Sequence, residues 1–147
     1  MTDSFFEFSS PRDILDKARR DLVKLRDHLD IDNIFDFFVT AYHVVDYVRS
    51  LEAAPEQAIS DLYEEPDFRM CRFICNKGKH LVLREGDEYG TYRRPGSTVG
   101  EFTIGETLLG VGPGYLIIDE THQVDVVDLA ERIIDRWDLF FEEHSIF

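Results

Sequence analysis

Asp32-Asn33-Ile34-Phe35-Asp36-Phe37-Phe38-Val39-Thr40-Ala41-Tyr42-His43-Val44-Val45-Asp46-Tyr47-Val48-Arg49-Ser50-Leu51 is the stretch that decides the fold. Ile34, Phe35, Phe37, Phe38, Val39, Ala41, Val44, Val45, Val48 and Leu51 cover nearly the whole circumference of a helix over about 33–51. A helix that is apolar almost all round belongs in the middle of a domain, with other elements covering it. Its polar exceptions are Asp36, Thr40, His43, Asp46 and Ser50. Steps of four and three residues predict that Asp36, Thr40 and His43 share one stripe, with Asp46 one turn beyond His43.

Helices flank this segment on both sides. Ser9-Ser10-Pro11-Arg12-Asp13 combines a Ser cap, a first-turn Pro and an early acid, which starts a helix of about 11–29. Ile14, Leu15, Ala18, Leu22 and Leu25 give it one buried face. Arg12, Lys17, Arg19, Arg20, Lys24 and Arg26 mark the other as a solvated surface with i,i+4 pairs. Pro55 opens a short helix of about 55–63, and Pro66 opens another of about 66–77. Gly78 reads as the left-handed stop of that helix. The period then shortens. Residues 80–84, 89–94, 99–111 and 115–119 read as strands between Gly- and Pro-containing turns, a β-region of about 80–119, with Gly110-Val111-Gly112-Pro113-Gly114 as a hairpin turn. A last helix covers about 126–144, with Trp137, Phe140 and Phe141 on its core face. The expected fold class is α+β: a bundle of about five helices with a small antiparallel sheet inserted before the last, in a single domain over 1–147.

Composition narrows the function classes. The chain is 44% hydrophobic with 12 Phe and 6 Tyr, so it packs a core rather than remaining disordered. No apolar run approaches the roughly 20 residues of a membrane span. The N-terminus has neither the basic nor the sustained apolar region of a signal peptide, so no membrane partner and a cytoplasmic location are expected. Cys71 and Cys75 read as reduced, buried thiols. The net charge of −14 opposes broad nucleic-acid binding and suits either a basic protein partner or plain solubility. Support for a basic partner lies in the acids of the last helix, Asp125, Asp128, Glu131, Asp135, Asp138, Glu142 and Glu143.

One segment runs against this field. Residues 67–94 carry seven Lys or Arg against four acids, a local +3 that leaves −17 on the rest of the chain. At its centre is Arg72-Phe73-Ile74-Cys75-Asn76-Lys77-Gly78-Lys79-His80. Arg72, Asn76, Lys77 and Lys79 are candidates to hold a phosphate, and His80 to act as a general acid–base. The competing reading is mechanical, with Lys77 and Lys79 simply placed where cations suit the negative end of a helix dipole. His43 with Asp46 is the second candidate: either a tuned base supporting His80, or a histidine hydrogen-bonded in the bundle. Zinc held by Cys71, Cys75, His80 and His43 is the weaker reading, because Cys-x-x-x-Cys is not the usual knuckle spacing. No metal and no cofactor are assigned.

Cys75-Asn76-Lys77-Gly78-Lys79-His80 resembles the Arg-polar-x-x-x-His motif of the HEPN superfamily, small bacterial helical proteins. Asn76 and His80 match the polar and His positions, and Cys75 stands where the motif has Arg. The resemblance implies a homodimer, a role in bacterial stress or phage defence, and a site directed at RNA or a nucleotide at 67–94. With the motif Arg replaced, the expected function is a non-catalytic or degenerate binding module. The alternatives are an acidic interaction or inhibitor module for a basic protein, and an active ribonuclease using His80.

Overall fold

A computed structural model describes residues 4–80, 89–94, 114–119 and 122–147. Its elements follow the order α1 (Pro11–Asp27), α2 (Ile31–Ser50), α3 (Glu56–Glu64), α4 (Pro66–Lys79), β1 (Gly90–Arg94), β2 (Gly114–Ile118), β3 (Gln123–Asp125) and α5 (Val126–Glu143). The fold is α+β and mainly helical, with the small sheet preceding the last helix. Among the described residues no helix is long and apolar enough to cross a membrane.

Local chemistry sets the helix starts. The Ser10 hydroxyl accepts from the Asp13 amide while the Asp13 carboxylate accepts from the amides of Ser9 and Ser10, closing a capping box. Those bonds favour the ionised form and hold the Asp13 carboxyl below its ordinary range, the Ser9 amide most of all. Asp30 caps α2 by accepting from the Asn33 amide at 2.8 Å. Asp125 caps α5 by accepting from Val127 and Asp128.

α2 packs against α1, α4 and α5. Ile34, Phe37, Phe38, Ala41, Val44, Val45 and Val48 are buried along it. On the α5 side, Trp137 is fully buried among the rings of Tyr63, Phe68, Phe140 and Phe141. Its indole N–H donates to the Ala41 carbonyl at 3.0 Å, which satisfies the one polar atom of the ring. The Tyr63 hydroxyl similarly donates to the Tyr42 carbonyl at 2.7 Å and fastens α3 to α2.

On the α1 side, a polar triad built on the buried Asp21 and Thr40 replaces the expected stripe on α2. Asp21, only 4% exposed, accepts from the Thr40 hydroxyl at 3.0 Å and from Lys17 at 2.7 Å, and Lys17 also reaches Thr40. Thr40 therefore faces α1, while Asp36 is exposed and His43 faces α4. The reason is angular: at 100° per residue, Thr40 and His43 stand about 60° apart, enough to meet different neighbours. The basic face of α1 keeps the expected i,i+4 pairing in Lys17–Asp21 and exposes Arg20, Lys24 and Arg26, but it also does something the spacing does not predict. Arg12 and Arg19 pair with Asp138, and Arg26 with Glu131, so these cations bridge to α5.

The described sheet is antiparallel in the order β1-β2-β3. Gly90 pairs with Ile118 and Arg94 with Gly114 on one side of β2, and Leu116 with Asp125 on the other. Gly114 thus opens β2 rather than closing a turn. The three-residue β3, which sequence periodicity does not predict, leads directly into α5. The strands expected at 81–84 and 99–111 and the turn at 110–113 lie outside the described residues.

α4 does not end at Lys77. It continues through Gly78 to Lys79, and His80 caps it with extended backbone, φ −130°. Gly78 serves a different purpose from a left-handed stop: the Phe35 ring of α2 lies where its side chain would be. A Cβ added there would meet Phe35 Cδ2 at 2.9 Å. This difference is testable with Gly78→Ala. Ala at a left-handed stop would destabilise by about 1–2 kcal/mol. In a helix it gains up to about 1 kcal/mol, against roughly 0.5–1.5 kcal/mol for displacing the Phe35 rotamer. Urea unfolding should therefore place Gly78→Ala within about 1 kcal/mol of the parent chain.

Candidate functional site: the seam between α2 and α4

Phe35 beside Gly78 and His43 beside Cys75 show that α2 and α4 run antiparallel. Halfway along this seam the polar residues of both helices converge. His43 Nδ1 lies 2.7 Å from Asp46 Oδ2, and His43 Nε2 lies 3.2 Å from Lys79 Nζ. A carboxylate only accepts and an ammonium only donates, so the geometry fixes one tautomer: Nδ1–H donates to Asp46 and Nε2 accepts from Lys79. The Tyr42 ring packs edge-on against the imidazole at 5.1 Å. The cluster is on the surface, with the side chains of His43 and Asp46 being 35% and 57% exposed.

His43 and Asp46 are brought together as their spacing predicts, but their third partner is Lys79 rather than His80. Among the described residues the exposed His80 ring makes no hydrogen bond or ion pair; its backbone amide donates to the Asn76 carbonyl at 2.7 Å. The four residues expected to hold phosphate divide between two sides of α4. Arg72, Asn76 and Lys79 follow one another at steps of four and three, so they form a stripe along the His43 side. Arg72 is close enough to oppose the upward shift that burial imposes on the Tyr42 phenol. Lys77 lies elsewhere, among the residues that line a cavity between α4 and the sheet.

Cys75 Sγ lies 4.0 Å from His43 Nε2, so cysteine, imidazole and carboxylate stand in the order of a nucleophilic triad. Burial argues against that chemistry. Cys75 is 1% exposed, and desolvation pushes its thiol above the ordinary cysteine range despite the opposing Lys79 charge. The fully buried Cys71 is raised further by the same cause. Both cysteines are free. Among the described residues no group of three or more His, Cys, Asp or Glu side chains is arranged to hold a metal ion.

Sequence reasoning missed Lys79 as the partner of His43, because a helix ending at Lys77 would leave Lys79 in the connection between the Gly78 stop and the strand expected at 80–84. It also overstated the free acid of α5. Asp125 caps its helix, Glu131 and Asp138 pair with α1, and Glu143 lies 3.5 Å from Arg136. Compared with family models, curated proteins and solved structures, the chain matches none.

The raised thiols give a direct prediction. A thiol pKa above its unfolded value means less thiolate at pH 8 in the folded chain than in the unfolded one. Iodoacetamide should label the native cysteines at least about tenfold more slowly than the urea-denatured ones, as followed by mass spectrometry.

Proposed function

We propose that the chain is a phosphate-directed binding module for RNA or a nucleotide, related to the HEPN proteins. Its contact face is the α2–α4 seam, and it binds without cutting. The observation that carries this reading is the Lys79–His43–Asp46 relay at 3.2 and 2.7 Å, with Arg72 on the same side of α4. Asp46 fixes the imidazole, the imidazole fixes the Lys79 ammonium, and the two remaining ammonium hydrogens are available to phosphate oxygens. Arg72 adds a second cation two turns earlier on the helix, a separation suited to a backbone rather than to a single small anion. The local +3 of 67–94 offsets the acidic field of the remainder at this place.

Cleavage would require a base at the 2′-hydroxyl and an acid at the leaving oxygen. The His43 nitrogen that would act as base already accepts from Lys79. The place of the motif Arg belongs to a buried, uncharged thiol at Cys75. His80 stands apart at the helix end without an orienting partner among the described residues. These features support retention of a phosphate site without its chemistry.

Fluorescence anisotropy with a labelled single-stranded RNA tests this reading. Lys79→Ala and Arg72→Ala should each weaken binding about tenfold at low salt and flatten the dependence on salt. His43→Ala, which frees Lys79 from its anchor, should weaken it less. Affinity unchanged by Lys79→Ala overturns the proposal. RNA cleavage by the parent chain that disappears in His80→Ala replaces it with a ribonuclease.

A further inference from the structure

A cavity of about 380 Å³ lies between the N-terminal residues and the last turns of α2. That volume falls within the roughly 300–1,000 Å³ of ligand sites. Phe5 and Phe8 line it on one side, and Asp46, Tyr47 and Ser50 on the other. Phe5 and Phe8 exchange two backbone hydrogen bonds of 2.9 Å, which sets their side chains on one face of a tight turn. Their ring centroids are 6.4 Å apart. The turn places Phe6 at φ 52°, a left-handed conformation that bulky residues rarely adopt, with its ring 81% exposed. The fold thus carries the backbone strain of this turn without burying the Phe6 ring. Among the described residues that line the cavity, Asp46 is the only charged one. Its Oδ2 accepts from the His43 imidazole, and its side chain is 57% exposed. Arg49, three residues further along α2, is engaged by Glu56 at 2.8 Å.

We infer that this cavity receives an arginine side chain of a basic polypeptide partner. The wall chemistry selects the guanidinium. It is planar, so it can lie against an aromatic ring and pair with a carboxylate at the same time. An anion would meet the Asp46 charge instead. An apolar side chain would cover that carboxylate and return no hydrogen bond to it. The occupant is a polypeptide rather than a small free cation because exposed apolar surface adjoins the cavity. Phe6 stands edge-on to Phe5 at 5.0 Å, and Leu51, which also lines the cavity, is 50% exposed. The chain that flanks an inserted arginine would cover both. The net charge of −14 favours the approach of a basic partner over an acidic one. Neither Lys79 nor Arg72 takes part here, so the inference stands apart from the RNA reading.

The full chain is titrated into a fluorescein-labelled peptide of alternating arginine and glycine, read by anisotropy. A second peptide carries citrulline, which keeps the shape of arginine without its charge, and should bind at least about tenfold more weakly. Phe5 is 64% exposed, so Phe5→Ala removes a ring with little demand on the fold. It should weaken the arginine peptide about fivefold, while Phe5→Tyr, which keeps a ring, should stay within about twofold. Ser50→Lys sets a cation at the cavity and should weaken binding about tenfold. Asp36→Asn makes the same change of one charge at an exposed position about 21 Å earlier along α2, and should stay within about twofold. Lys79→Ala should leave peptide affinity within about twofold, so peptide and RNA binding can fail separately. Equal affinity for the citrulline peptide, indifference to Phe5→Ala, or an Asp36→Asn loss as large as that of Ser50→Lys each overturns the inference.

Discussion

The fold depends on the enclosure of α2. Eight of its residues are buried, seven of them apolar, and they point toward three different neighbours, so the helix is stable only when α1, α4 and α5 cover it together. Each cover is fixed by a different polar device. Asp21 and Lys17 meet Thr40 on the α1 side, and the Trp137 indole meets the Ala41 carbonyl on the α5 side. On the α4 side, Gly78 admits Phe35 and Lys79 reaches His43. The buried hydrogen bonds at Thr40 and Trp137 contribute modestly when made, but they are expensive to leave unmade, so they help select which helix covers those two faces.

The charges obey the same geometry. Arg12, Arg19 and Arg26 leave α1 to meet acids of α5, and Arg132 and Arg136 of α5 meet Asp67 and Glu65 near the start of α4. Exposed pairs of this type each contribute little, about 0–1 kcal/mol. Their larger effect is on the field: they neutralise acids along α5 and leave the α2–α4 seam as a place where cations face outward beside an imidazole. A strongly acidic chain can in this way keep a local group of outward-facing cations.

Much of the fold was legible in the sequence because hydrophobic period and capping chemistry are local. The all-round apolarity of 34–51, the Ser10–Asp13 box and the core face around Trp137 each specify an element on their own. The misreadings arose where one element's residues serve another's packing. Gly78 has the composition of a helix stop, yet its hydrogen exists for a phenylalanine 43 positions earlier. Thr40 and His43 are adjacent on a helical wheel, yet they face different helices because α2 is covered on both sides. Three residues, Gln123-Val124-Asp125, are too few for an alternation to be seen. Of the candidate site, the pairing of His43 with Asp46 could be read from their spacing. The choice of Lys79 over His80 could not, since it turns on where α4 ends.

Gly78 gives the last turn of α4 a further property. Lys77 on one side of it is among the residues lining the cavity against the sheet and Lys79 on the other reaches His43, so both features hang from the same short length of backbone. The separation of α2 and α4 at this point is set by the thickness of one aromatic ring against a bare backbone. The seating of Phe35 against Gly78 and the reach of Lys79 to His43 therefore depend on the same gap, one residue apart on α4.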